Sequence, residues 1–156
     1  MTTAPRLSPD LIKTLTMAAE VIAPARDDWW IISSAAVALH GVKAIQVGDV
    51  DVLMSLRDAT ALLRRLGTPP EDDGGNERFR SNAHGRWRQP PLALDVMAGL
   101  QVRFRGEWRD VAPRSRLAVT IGGHRLFVPE RTELADLLLL FGRPKDLERH
   151  RLLTGT

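Results

Sequence analysis

The stretch VGDVDVLMS, residues 47–55, decides how this chain is read. Its alternation of valines and acids predicts a β-strand, in which side chains point to opposite faces with period two. Asp49 and Asp51 then share one face, while Val50 and Val52 face a core on the other. Two carboxylates a few ångströms apart repel unless something positive sits between them. With only oxygen donors on offer, the matching partner is a hard divalent cation.

A third acid stands in a similar setting. Asp95 lies in LALDVMA (92–98), between Leu94 and Val96, within another expected strand. A buried charge there needs a partner or must neutralise. Beside Asp49 and Asp51 it completes a three-carboxylate cluster suited to Mg²⁺ or Mn²⁺. Such a cluster supports in-line phosphoryl or nucleotidyl transfer, with Asp95 placed to accept the proton of an attacking hydroxyl. The plainer alternative is three strand acids paired with nearby arginines.

Upstream, WWIIS (29–33) predicts a buried strand, and SAAVALHG (34–41) a short Ala-rich helix stopped by Gly41. The strand-to-helix turn at Ser33–Ser34 presents backbone N–H groups and two hydroxyls. That is a natural cradle for phosphate, unless the serines serve only as a helix cap. Trp29 and Trp30 cannot both face one core from one strand, which puts one of them at an interface.

The remaining pattern is mixed. A helix is expected over 7–23, with Ser8 as N-cap and Pro9 in its first turn. Ser55 and Asp58 form a capping-box pattern opening a helix that Gly67 closes. TPPEDDGGN (68–76) reads as a loop. RFRSNAHGRWR (78–88) predicts a hairpin with its turn near Asn82–Gly85, carrying a row of Arg78, Arg80, Arg86 and Arg88 on one face. That row is either a contact surface for nucleic acid or triphosphate, or a solvated sheet face. Short antiparallel strands follow over 92–104 and 117–128, then helices over 130–142 and 143–153. His40 fits a helix-end hydrogen bond, and His84, His124 and His150 lack zinc-like spacing. Arg143 and Lys145, early in the last helix, either reach the cleft or solvate the surface.

Composition narrows the chemistry further. At 156 residues the chain is the size of one domain, read here as 1–156. The absence of cysteine excludes disulfides, thiolate catalysis and cysteine-bound zinc. No signal-peptide pattern or membrane-length apolar run is present, so a cytoplasmic location without membrane association is expected. Residues 1–75 hold 7 basic and 10 acidic side chains and residues 76–156 hold 15 and 9, so the second half is basic. Of the 22 cationic side chains 19 are Arg, which suits phosphate contacts and is equally the mark of a GC-rich genome.

Taken together, IISSAAVALHGVKAIQVGDVDVLMS (31–55) resembles the opening signature of the nucleotidyltransferase superfamily, with its polymerase-β-like fold. It is most similar to small bacterial members found in toxin–antitoxin and abortive-infection systems. Ser33 and Ser34 fall on the family's small-residue pair, Ala36, Leu39, His40 and Gly41 on its helix positions, and Asp49 and Asp51 on its metal carboxylates. Asp95 falls where the third carboxylate stands, and Gly142, Arg143, Lys145 and Asp146 match a closing G-R-x-K-D. The chain departs from the pattern at Ser33 (for Gly), Ile45, Val47 and Leu138, where many members carry polar residues at the last three.

The resemblance implies an α/β (α+β) nucleotidyltransferase fold, a mixed β-sheet flanked by helices with two C-terminal helices. It further implies an Mg²⁺-dependent enzyme moving NMP from an NTP to an acceptor hydroxyl on RNA, protein or a small molecule. Asp49, Asp51 and Asp95 would be its metal ligands and catalytic residues, and Ser33 and Ser34 its nucleotide-binding residues. The alternatives are a catalytically degenerate binding protein with a protein partner, such as a toxin–antitoxin component, and a basic RNA-binding module.

Overall fold

The computed structural model describes residues 7–69 and 76–155; most of the loop expected at 68–76, residues 70–75, lies outside them. Helix α1 (Pro9–Ile22) starts as its sequence dictates, the Ser8 hydroxyl accepting a hydrogen bond from the Leu11 N–H at 3.2 Å. Strand β1 (Trp30–Ile32) runs straight into α2 (Ser33–Leu39). Strand β2 (Asp49–Leu53) leads to α3 (Leu56–Leu66), which ends at Gly67 in the left-handed conformation. Short strands follow: β3 (Phe79–Arg80), β4 (Ala83–Trp87), β5 (Ala93–Ala98), β6 (Gln101–Phe104), β7 (Glu107–Asp110), β8 (Leu117–Ile121) and β9 (His124–Val128). Two helices, α4 (Arg131–Phe141) and α5 (Pro144–Thr154), close the chain.

The main sheet has the order β1-β2-β5-β4. Its central pair, β2 and β5, is parallel, and both flanking pairs are antiparallel. The all-antiparallel expectation for the second half therefore fails at β5, which reaches β2 after a long crossover through α3 and β4. One face of the sheet carries Ile31, Val50, Val52, Leu94 and Val96 into the larger core, against α1, α3 and β9. The opposite face carries Ile32 and Leu53 into a second cluster with Val102, Leu137 and Phe141. Helix α4 serves both clusters, Leu134 and Leu138 packing in the first and Leu137 and Phe141 in the second.

Two local expectations are corrected. The hairpin over 78–88 does not form: β3 pairs with β6 and β4 with β5, in different sheets. The chain changes sheets over Ser81–Asn82 because Phe79 packs edge-on against Phe141, while the Asn82 N–H is already bound to the Ala98 carbonyl of the main sheet. Ser55 does cap α3, but no full capping box forms; the Asp58 carboxylate is taken up chiefly by the N–H groups of Arg26 and Asp27, with the Ser55 hydroxyl beside them. The two tryptophans meet different cores, Trp29 packing in the first and the partly buried Trp30 against the second. Among the described residues no helix is long and apolar enough to cross a membrane.

Candidate active site

The apolar residues of β2 and β5 fix where their acids must point. With Val50, Val52, Leu94 and Val96 fully buried in the larger core, Asp49, Asp51 and Asp95 are forced onto the other face. Register does the rest. Asp51 lies directly beside Asp95 on the parallel pair, Ile32 flanks Asp51, and Arg86 flanks Asp95, so one row crosses all four strands. Asp49 stands two residues before Asp51 on the same face.

The three carboxylates each offer one oxygen within 4.8 Å of the others. Asp95 is buried, its Oδ2 accepting from Arg86 Nη1 at 2.7 Å and its Oδ1 lying 3.3 Å from His84 Nε2. The same Arg86 nitrogen stands 3.4 Å from Asp49 Oδ2. Burial, then the negative charges of Asp49 and Asp95, push the Asp51 carboxyl up to about 7, against a hydrogen bond from Ser33 and the charge of Arg143. Like charges thus converge on a partly buried point, and the donors are all oxygen. This donor set fits a hard divalent cation.

A cleft of about 280 Å³ opens on this face, and Ser33, Asp51, His84, Arg86, Asp95 and Arg143 supply its polar walls. Ser33 is held at φ 61, a conformation that favours glycine, at the turn from β1 into α2. Its hydroxyl is spent on Asp51, and Ser34 is buried behind it, outside the cleft lining. Of the two cations offered by the G-R-x-K-D stretch, Arg143 reaches the cleft and Lys145 is exposed to solvent. Arg143 is steered there by Asp146, which is fully buried and accepts from Arg143 Nε at 2.6 Å, and by the Phe79 ring 4.7 Å beneath its guanidinium.

The sequence reading discounts His84 and leaves Arg86 within a row read as either a contact surface for nucleic acid or triphosphate or a solvated face, without pairing either residue to Asp95. The signal is present: they alternate on β4, so a residue pair two apart had to share a face. What the sequence lacks is the register that sets this face opposite Asp95. The rest of the row disperses, Arg78 donating to the Phe141 carbonyl and Arg80 to Gln101. His40 behaves as a helix-end group, its Nε2 2.8 Å from the Pro129 carbonyl, with burial lowering its pKa.

No protein-family model and no curated protein matches the sequence. Solved structures do match the fold. A candidate nucleotidyltransferase from Thermotoga maritima superposes with a TM-score of 0.76 at 18% identity, over 97% of this chain and 96% of that one. The lincosamide antibiotic adenylyltransferase LnuA, with lincomycin bound, matches at 0.58 and 10% identity, over 97% and 98%. ANT(2″)-Ia in complex with adenylyl-2″-tobramycin matches at 0.55 and 14% identity, over 91% and 87%. The chain has the nucleotidyltransferase fold.

Proposed function

We propose that this protein is a divalent-metal-dependent nucleotidyltransferase that moves NMP from an NTP to an acceptor hydroxyl. The observation that carries this reading is the convergence of Asp49, Asp51 and Asp95 on one face of the sheet, with Asp51 and Asp95 lining an open cleft. Burial and the two neighbouring carboxylates raise the Asp51 carboxyl to about 7, a strain that a bound cation would relieve.

In this reading the three aspartates hold Mg²⁺ or Mn²⁺. The bound cation supplies Lewis-acid stabilisation of the charge that develops on the transferred phosphoryl group. The triphosphate lies against the β1–α2 turn, where Ser33 lines the cleft and Ser34 contributes only its backbone N–H. Arg143 faces the same space as a phosphate-binding cation. An oxygen of Asp95 takes the acceptor's hydroxyl proton as the new O–P bond forms. The bond from the α-phosphorus to the bridging oxygen breaks, and pyrophosphate leaves with that electron pair.

The acceptor is an RNA, protein or small-molecule hydroxyl. The fold is shared with LnuA and with ANT(2″)-Ia, whose bound adenylyl-2″-tobramycin places a small molecule among the acceptors to try first. A second reading, a binding protein of this fold without catalysis, such as a toxin–antitoxin component, draws on Leu138, which is buried in the core and offers no polar contact.

The test is transfer of label from each of four α-labelled NTPs, with Mg²⁺, to a panel of RNA, protein, aminoglycoside and lincosamide acceptors. Labelled product with the wild type and none with Asp51→Asn is expected. No product and no pyrophosphate release from any NTP would contradict the enzyme reading and favour the second.

A further inference from the structure

Arg86 touches two of the clustered carboxylates. Its Nη1 is 2.7 Å from Asp95 Oδ2 and 3.4 Å from Asp49 Oδ2. Those are two of the three groups that would hold a divalent ion, so guanidinium and metal draw on the same set of acids. Two cations side by side on these oxygens repel each other. Arg86 is also well placed to leave. It projects from β4, the edge strand of the main sheet, and its side chain is partly exposed to solvent. It lines the cleft on one side and a neighbouring cavity beside Gly67 and Arg88 on the other.

We propose that Arg86 is an exchangeable counter-ion: it neutralises Asp49 and Asp95 while no metal is bound, and metal displaces it to the triphosphate. The inference rests on the metal-and-nucleotide reading of the site given above. It assigns Arg86 two opposite effects. Against metal alone the side chain is a competitor, because its charge-assisted hydrogen bonds must break before the ion is fully held. Toward the metal–nucleotide complex it is a ligand, because the freed guanidinium faces added phosphate charge with a fork that suits phosphate oxygens. His84 remains on the other oxygen of Asp95 throughout, keeping that carboxylate oriented while Arg86 comes and goes.

Calorimetry on the full chain tests this with two probes: Mg²⁺ alone, and Mg²⁺ with NTP analogues bearing a methylene bridge between the α and β phosphates. For Arg86→Met the affinity for Mg²⁺ alone is expected to rise about tenfold, and that for the Mg²⁺–analogue complex to fall about tenfold. Changes in the same direction for both probes, or no change in Mg²⁺ affinity, would overturn the proposal while leaving the metal site standing. Wild-type protein that binds neither probe would overturn both. A second measurement needs no folded Met variant. The Nε–H resonance of Arg86 in the wild type, assigned with Arg86→Lys, is expected to shift on saturation with Mg²⁺ and again on adding the analogue. A resonance unmoved by saturating Mg²⁺ would sink the proposal.

Discussion

Asp51 and Asp95 are direct neighbours in a parallel strand pair, carboxylate beside carboxylate on one face of the sheet. Side-by-side acids destabilise a sheet that nothing else compensates. Arg86 compensates Asp95 and Asp49, while Asp51 is left with Ser33 and the more distant charge of Arg143.

Burial, with the charges of Asp49 and Asp95 added, raises the Asp51 carboxyl to about 7 when folded, against 3.8 as its ordinary value. The folded state then holds a proton that the unfolded chain releases, so its contribution to stability is full below about pH 4 and is lost as pH rises to about 7. In metal-free protein, Asp51→Asn is expected to melt higher than wild type at pH 8, with the difference shrinking toward pH 5. Melting curves across that range in chelator check it.

Asp58 works in the opposite direction. Burial alone would raise its carboxyl, but the N–H groups of Arg26 (3.1 Å) and Asp27 (2.8 Å) and the Ser55 hydroxyl outweigh that and hold it below the usual range. Its contribution is present above the ordinary carboxylate value and disappears as pH falls through the depressed one. Asp58→Ala is expected to cost about 1–3 kcal/mol at neutral pH by stranding those donors. Chemical denaturation at pH 7 and pH 3 should show a larger deficit at pH 7 than at pH 3.

Asp146 ties the fold to the cleft. It is fully buried and bound to Arg143, with Arg149 3.5 Å away. Asp146→Ala leaves a partly buried cation without its partner and is expected to cost about 3–5 kcal/mol. Nucleotide affinity should fall with it, since Arg143 loses the hydrogen bonds that aim it over Phe79. Urea unfolding read together with nucleotide binding separates the two effects.

Gly85 lies between His84 and Arg86 and faces the larger core. A Cβ there would press into the Leu63 side chain, itself buried under α3. Gly85→Ala is expected to lose about 1–3 kcal/mol through overpacking. Thermal melts of the variant check it.

What the sequence made legible follows from locality. Alternation alone places Asp49 and Asp51 on one face, and the Leu94–Val96 bracket orients Asp95 with them. Ser8, Pro9, Gly67 and Gly142 mark helix ends through contacts a few residues away. The misreadings all involve partners distant in the chain. Asp58 takes backbone N–H groups more than thirty positions upstream as well as the serine three before it. Phe79 pairs across to Val102 and not back onto its neighbouring strand. Arg86 looks like surface charge until β4 is laid against β5. Asp95 was foreseeable as a buried acid with an arginine near it; that the arginine is Arg86, with His84 beside it, was not.

The most direct test of the site is calorimetric titration of NTP into wild type and into Asp49→Ala/Asp51→Ala, each with and without Mg²⁺. Binding to the wild type that requires Mg²⁺ and vanishes in the double variant is the expected result. Binding that is indifferent to Mg²⁺, or that survives loss of both carboxylates, would contradict a metal-dependent nucleotide site at Asp49, Asp51 and Asp95.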